Sequence, residues 1–202
     1  NLYTFSVDAA TQVVMDSLTN DGNLNWTLTG PTGTIVNQRA FNNTNGIGGS
    51  TALQLVAGAY TLKVQGYQAH TGSYGFRLLD VAAGTAVVAD TPVSGTLGDN
   101  GTDINVYLFT ATARERVDFQ GTASSSTSTT WRLMDQFGNR VFGPVQLNDS
   151  GPLTLDAGVY MLLIEGEVNE TTDASYGFII NSVPQQSAGG QTTQDFDTAN
   201  LL

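Results

Sequence analysis

The sequence predicts an all-β chain made of two tandem antiparallel β-sandwich modules. Three observations predict it. Apolar residues alternate with polar ones over short stretches, turn-forming residues interrupt them at short intervals, and the whole pattern occurs twice about a hundred residues apart. Two hundred and two residues are enough for two such modules, each with a modest core.

The elements follow in order. Tyr3, Phe5 and Val7 alternate with Thr4 and Ser6, the period-two signature of a half-buried strand. Leu24, Trp26 and Leu28 alternate with Asn25 and Thr27. Leu53 and Leu55 form a short alternating pair, and Tyr60, Leu62 and Val64 a longer run. Turn signals separate them: NDGN from Asn20, GPTG from Gly30, Ala57-Gly58, DNG from Asp99 and FGN from Phe137. No stretch keeps helical spacing over three turns.

The second copy repeats each element. Tyr3 and Phe5 match Tyr107 and Phe109. Trp26, Leu28 and Gly33 match Trp131, Leu133 and Gly138. Leu53, Leu55, Ala57, Gly58, Tyr60 and Gly66 match Leu153, Leu155, Ala157, Gly158, Tyr160 and Gly166, and SYGF closes both copies from Ser73 and Ser175. The offset drifts only between 100 and 105 residues, so length changes fall in loops. The expected division is residues 1–90, residues 91–186, and a polar tail over 187–202. A Val93–Leu97 strand would open the second module. The first has no counterpart ahead of Asn1, so one edge of it is expected to lie open. The tail is expected to lead on as a linker; the alternative is that it returns to pair with the first module.

Composition narrows the function. Eighteen acidic residues face seven basic ones, a formal charge of −11. Such a surface repels phosphate backbones and anionic lipid, which excludes nucleic acid and argues against membrane docking. Without cysteine there are no disulfides, thiolate metal sites or cysteine nucleophiles. No apolar run reaches the 18 residues of a membrane span.

The ordered set of motifs resembles the bacterial pre-peptidase C-terminal domain. It comprises Val93, Gly95 and Leu97; Tyr107 and Phe109; Leu133 and Gly138; Leu155, Ala157, Gly158, Tyr160 and Gly166; and Tyr176 and Phe178. The resemblance covers most of both copies. It implies a jelly-roll-like β-sandwich that is not itself catalytic. Such modules sit beside the catalytic domains of secreted proteases and collagenases and recur in large surface adhesins. Some bind calcium in loops, and others bind matrix proteins or carbohydrate.

Chemistry-bearing residues are few. His70 is the sole histidine and sits in a loop with no triad pattern around it, so it reads as a surface residue. The Gly46 run GIGGS lacks a strand-to-helix context and reads as a turn. Calcium takes six to eight oxygens from flexible loops. Asp99, Asn100 and Asp103 supply three side chains within five positions, with Gly101 allowing a bend. This is the candidate metal site. Asn20, Asp21 and Asn23 form a weaker second cluster that also reads as an Asx turn. Trp26 and Trp131 lie in phase with core leucines and read as core, whereas Phe41 and Tyr67 are the better candidates for exposed aromatics. The long Asn37–Thr51 insertion of the first copy is where a ligand would be sought first.

The expectation is a non-enzymatic module pair from a large extracellular bacterial protein. It would act as an adhesin spacer or ligand-presenting segment, with neighbouring modules as partners and carbohydrate or surface protein as candidate ligands. The alternative is an accessory substrate- or carbohydrate-binding domain of a secreted hydrolase. Calcium near Asp99 would stiffen the junction.

Overall fold

The computed structural model describes residues 1–45 and 52–184. Sixteen strands and a few short 3-10 turns make up these residues, with no α-helix among them. The first seven strands are β1 (Leu2–Val7), β2 (Thr11–Ser17), β3 (Leu24–Gly30), β4 (Gly33–Ala40), β5 (Leu53–Leu55), β6 (Gly58–Gly66) and β7 (Phe76–Asp80). They form two antiparallel sheets, β1-β6-β3-β4 and β5-β2-β7. The later strands are β8 (Thr85–Val87), β9 (Val93–Leu97), β10 (Ile104–Ala111), β11 (Glu115–Ser124), β12 (Thr130–Met134), β13 (Arg140–Gln146), β14 (Pro152–Leu155), β15 (Gly158–Glu165) and β16 (Ala174–Ser182). They form the sheets β13-β12-β15-β10-β8 and β14-β11-β16-β9.

Each pair of sheets encloses a core supplied by the alternating residues. Val13, Met15, Trp26, Leu28, Leu55, Tyr60 and Leu62 pack in the first, and Phe109, Phe119, Trp131, Leu133, Leu162, Ile164 and Phe178 in the second. Trp26 and Trp131 are wholly buried, as their phase requires. Phe41 is not the exposed aromatic its sequence context suggested. It is wholly buried and packs on Tyr74 and Phe76, because a 3-10 turn over Phe41–Asn43 folds the start of the long insertion back onto the first core. Tyr67 is exposed, as expected.

A third apolar cluster joins the two sandwiches face to face. Val14 from β2 meets Ile104, Met134, Met161 and Leu163 from the second sandwich, with Ala52 and Val81 at its edge. Four sheets therefore stack in the order β1-β6-β3-β4, β5-β2-β7, β13-β12-β15-β10-β8, β14-β11-β16-β9. Beyond Val14, β8 ties the halves together. The expected boundary near residue 90 puts it with the first copy, but it pairs parallel with β10 in the second sandwich.

Leu163→Ala should cost about 2–5 kcal/mol, the range for a buried leucine. Trp26→Phe and Trp131→Phe variants leave one tryptophan reporter per core. Denaturation of both should show coincident transitions with Leu163 intact and separated transitions with Leu163→Asp.

Candidate functional site

The richest concentration of polar chemistry in the described residues lies within the sandwich–sandwich interface. β2 carries Val13 and Met15 into the first core, so Val14 and Asp16 face the second sandwich. Asp16 is completely buried. Its carboxylate accepts hydrogen bonds from Asn45 Nδ2 at 2.8 Å, from Arg77 Nε at 2.9 Å and from the backbone N–H of Ile104 at 3.3 Å. Arg77, on neighbouring β7, also reaches Asp103 Oδ1 at 2.8 Å. Asn45 Nδ2 donates to Thr102 O at 3.1 Å. One carboxylate, one amide and one guanidinium from the first sandwich thus engage the Thr102–Ile104 backbone and Asp103 of the second.

On the facing sheet, Arg132 of β12 and Glu165 of β15 form a pair with almost no exposure, with Arg132 Nε 3.0 Å from Glu165 Oε2. Burial pushes the Glu165 carboxyl up to about 7 against the pull of Arg132, and Asp16 adds to the rise. Burial raises Asp16 as well, although Arg77, Asn45 and the Ile104 N–H oppose it. At the interface rim, Gln12 Nε2 donates to Gln136 O and Gln54 Nε2 to Phe137 O.

Sequence reasoning missed these residues, yet a signal existed. In β6 the residues facing away from the core are Thr61, Lys63 and Gln65. In β15 the equivalent positions hold Met161, Leu163 and Glu165. A strand apolar on both faces is buried on both faces.

The expected calcium ligands lie at the edge of this interface. Asp99, Asn100 and Gly101 all adopt positive φ, a tight left-handed turn. The turn docks on the loop before β16, where the Asn100 N–H donates to Asp173 Oδ1 at 3.0 Å. Asp99 and Asn100 are exposed. Asp103 Oδ2 accepts from the Gly98 N–H, and its Oδ1 faces Arg77. The cation at this position is thus a guanidinium, and the described residues gather no group of three or more carboxylate or imidazole side chains able to hold a metal.

The second acidic cluster is a turn. Asp21 Oδ1 accepts from the Asn23 N–H, and its Oδ2 lies 2.7 Å from His70 Nε2. The His70 contact, with the Asn23 N–H, holds the Asp21 carboxyl below its ordinary value. The first part of the Asn37–Thr51 insertion is structural: Thr44 accepts from Trp26 Nε1 and Asn45 enters the interface. Residues 46–51 lie outside the described residues, as does the tail over 187–202. In the second copy, Gly121–Ser124, Ser126, Thr127, Thr129 and Gln146–Asn148 line an open groove of about 310 Å³ with hydroxyls and amides. No helix among the described residues is long and apolar enough to cross a membrane.

No protein-family model matches the chain, and no curated protein does. Among solved structures, it is similar to the pre-peptidase C-terminal domain of a Bacillus anthracis collagenase, with 17% identity over 48% of this chain and 94% of that one (TM-score 0.41). It is similar to PliG of Aeromonas hydrophila, a periplasmic inhibitor of g-type lysozyme, with 12% identity over 48% of this chain and 96% of that one (TM-score 0.37). A third is the CUB1-EGF-CUB2 segment of human MASP-1/3, with 6% identity over 89% of this chain and 92% of that one (TM-score 0.30). None of these likenesses assigns a function to the chain.

Two outcomes follow from the buried charges. A carboxyl raised in the folded state contributes stability that is complete below its unfolded value and lost as pH rises through the folded one. For Glu165 that window runs from about 4.5 to about 7. Midpoints of chemical denaturation should therefore fall from pH 5 to pH 7.5, and Glu165→Gln should flatten the slope. Arg77→Met leaves Asp16 without its cation. The expected loss at pH 7.5 is about 2 kcal/mol, below that of a fully buried pair because the Arg77 side chain is 38% exposed. It should shrink at pH 5, where Asp16 protonates more readily.

Proposed function

We propose that the chain is a non-catalytic pair of β-sandwich modules, residues 1–90 and 91–186, from a large extracellular bacterial protein. Its work is to space and present neighbouring segments of the same polypeptide. The carrying observation is where the buried charge goes. Asp16, Arg132 and Glu165, the fully buried ionic side chains of the described residues, all lie in the interface between the sandwiches. Functional sites normally hold such perturbed groups in a cleft; here they fix two modules against each other.

The outer faces support the same reading. The face of β1 and β6 away from the core carries Thr4, Ser6, Thr61 and Lys63 beside Leu2, and that of β11 and β16 carries Asp118, Gln120 and Asn181 beside Ile179, so both are mainly polar. Polar outer faces end a stack, as capping units do in repeat proteins. Arg77, which meets both Asp16 and Asp103, supplies a cation at the junction of the pair.

A second reading is favoured by the groove of hydroxyls and amides beside Gln146: an accessory domain of a secreted hydrolase that binds a neutral carbohydrate there. Immobilised chain probed with a glycan panel, alongside peptide, ester and glycoside turnover assays, tests both. The spacer role expects no turnover, no glycan retention, and the same melting temperature in millimolar calcium and in chelator. Glycan retention lost on Gln146→Ala would replace it with the accessory role. Turnover abolished by His70→Ala would overturn both.

A further inference from the structure

The charges buried between the sandwiches do not balance. Among the described residues the first sandwich brings Asp16 and Arg77 to the interface, and the second brings Asp103, Arg132 and Glu165. Three carboxyls thus meet two guanidiniums. Asp16, Arg132 and Glu165 have almost no exposure, and Asp103 is largely buried. A surplus charge held away from water is costly, and one bound proton removes it.

The backbone brings two of these carboxyls together from opposite sides. Asp16 Oδ2 accepts from the Ile104 N–H, and Ile104 is the partner of Glu165 across β10 and β15. Arg132 meets Glu165 from β12, and Arg77 of β7 meets Asp16 and Asp103. Asp99, at the exposed edge, acts on Arg77 and Asp103. Glu170 and Asp173, in the loop after β15, are turned instead to Ser126 and to the Asn100 N–H. The insertion and β5 bring only the uncharged Asn45 and Gln54. The apolar cluster of Val14, Met161 and Leu163 that covers this side of β15 is separate from the two cores. Parting the sandwiches along it would return Glu165 to water and leave both cores closed.

We propose that the interface is a proton-linked latch: the sandwiches dock with Glu165 protonated, and loss of that proton loosens the face-to-face contact without unfolding either sandwich. The latch rests on the two-module unit proposed above and adds a condition under which its modules separate. Its sign follows from burial. Docked, the Glu165 carboxyl keeps its proton up to about 7; returned to water, it keeps it only to its ordinary 4.5. Docking is therefore strongest below about 4.5 and weakens as pH rises through about 7.

Amide hydrogen exchange of the whole chain at pH 5 and pH 7.5, expressed as protection relative to an unstructured chain, tests this. The Ile104 amide reports docking because it donates across the interface. The amides of β3 and β12 report the two cores. Ile104 should be less protected than β3 and β12 at both pH values, the mark of an opening smaller than unfolding. Its protection should fall about fiftyfold from pH 5 to pH 7.5, the change set by a carboxyl that moves from 4.5 to about 7 on docking. Glu165→Gln keeps that position uncharged and should hold Ile104 protection within about twofold over the same range. Asp16→Asn leaves two carboxyls for two guanidiniums and should shrink the fall. Ile104 protection equal to that of the core strands would overturn the latch, since the sandwiches would then part only by unfolding. So would pH-independent protection of Ile104 in the unaltered chain, or an undiminished fall in either variant.

Discussion

Asp16 has no contact with water, and the relation between the two sandwiches is built around that fact. A buried carboxylate is costly unless it is paired and hydrogen-bonded. Its partners come from three places: Asn45 from the first-copy insertion, Arg77 from the adjacent strand, and the Ile104 N–H from the second sandwich. Moving the sandwiches apart would strip the Ile104 contact and the Arg77–Asp103 pair together. Moving the insertion would strip Asn45. The apolar cluster around Val14 and Met161 supplies attraction without direction. The polar cluster favours one relative position, because a displaced arrangement loses the Ile104 N–H, Thr102 carbonyl and Asp103 contacts, while Asp16 keeps Arg77 and Glu165 keeps Arg132.

This interface uses different faces of two similar modules. The first copy offers the outer face of its β2–β7 sheet. The second offers the outer face of its β10–β15 sheet, which is the counterpart of β1–β6. Such a contact is head-to-tail, and head-to-tail contacts can extend without limit unless an end is blocked.

The acidic turns show how local chemistry and tertiary context part ways. Asp99, Asn100 and Asp103 have the spacing of a calcium loop. Asp103 also meets Arg77, twenty-six positions earlier in the chain. No local pattern announces that, because the arginine arrives through sheet pairing of β7 with β2 and not through the turn itself. The same applies to Phe41. Nothing in NQRAFNN marks it as a core residue until the insertion folds back onto Tyr74 and Phe76.

The sequence by itself determined the strands and their inward faces, because period-two alternation and turn residues are local signals that any sheet must obey. It also marked Val93–Leu97 as a strand. Only the tertiary structure decided that the sandwiches stack face to face, that β8 crosses into the second sheet, and that Asp16, Arg77, Arg132 and Glu165 meet at the junction. The doubly apolar run of β15 hinted that something covers its outer side. Which face of which module does so depends on pairings between residues about a hundred positions apart, and the energy of those pairings exists only once both sandwiches have formed.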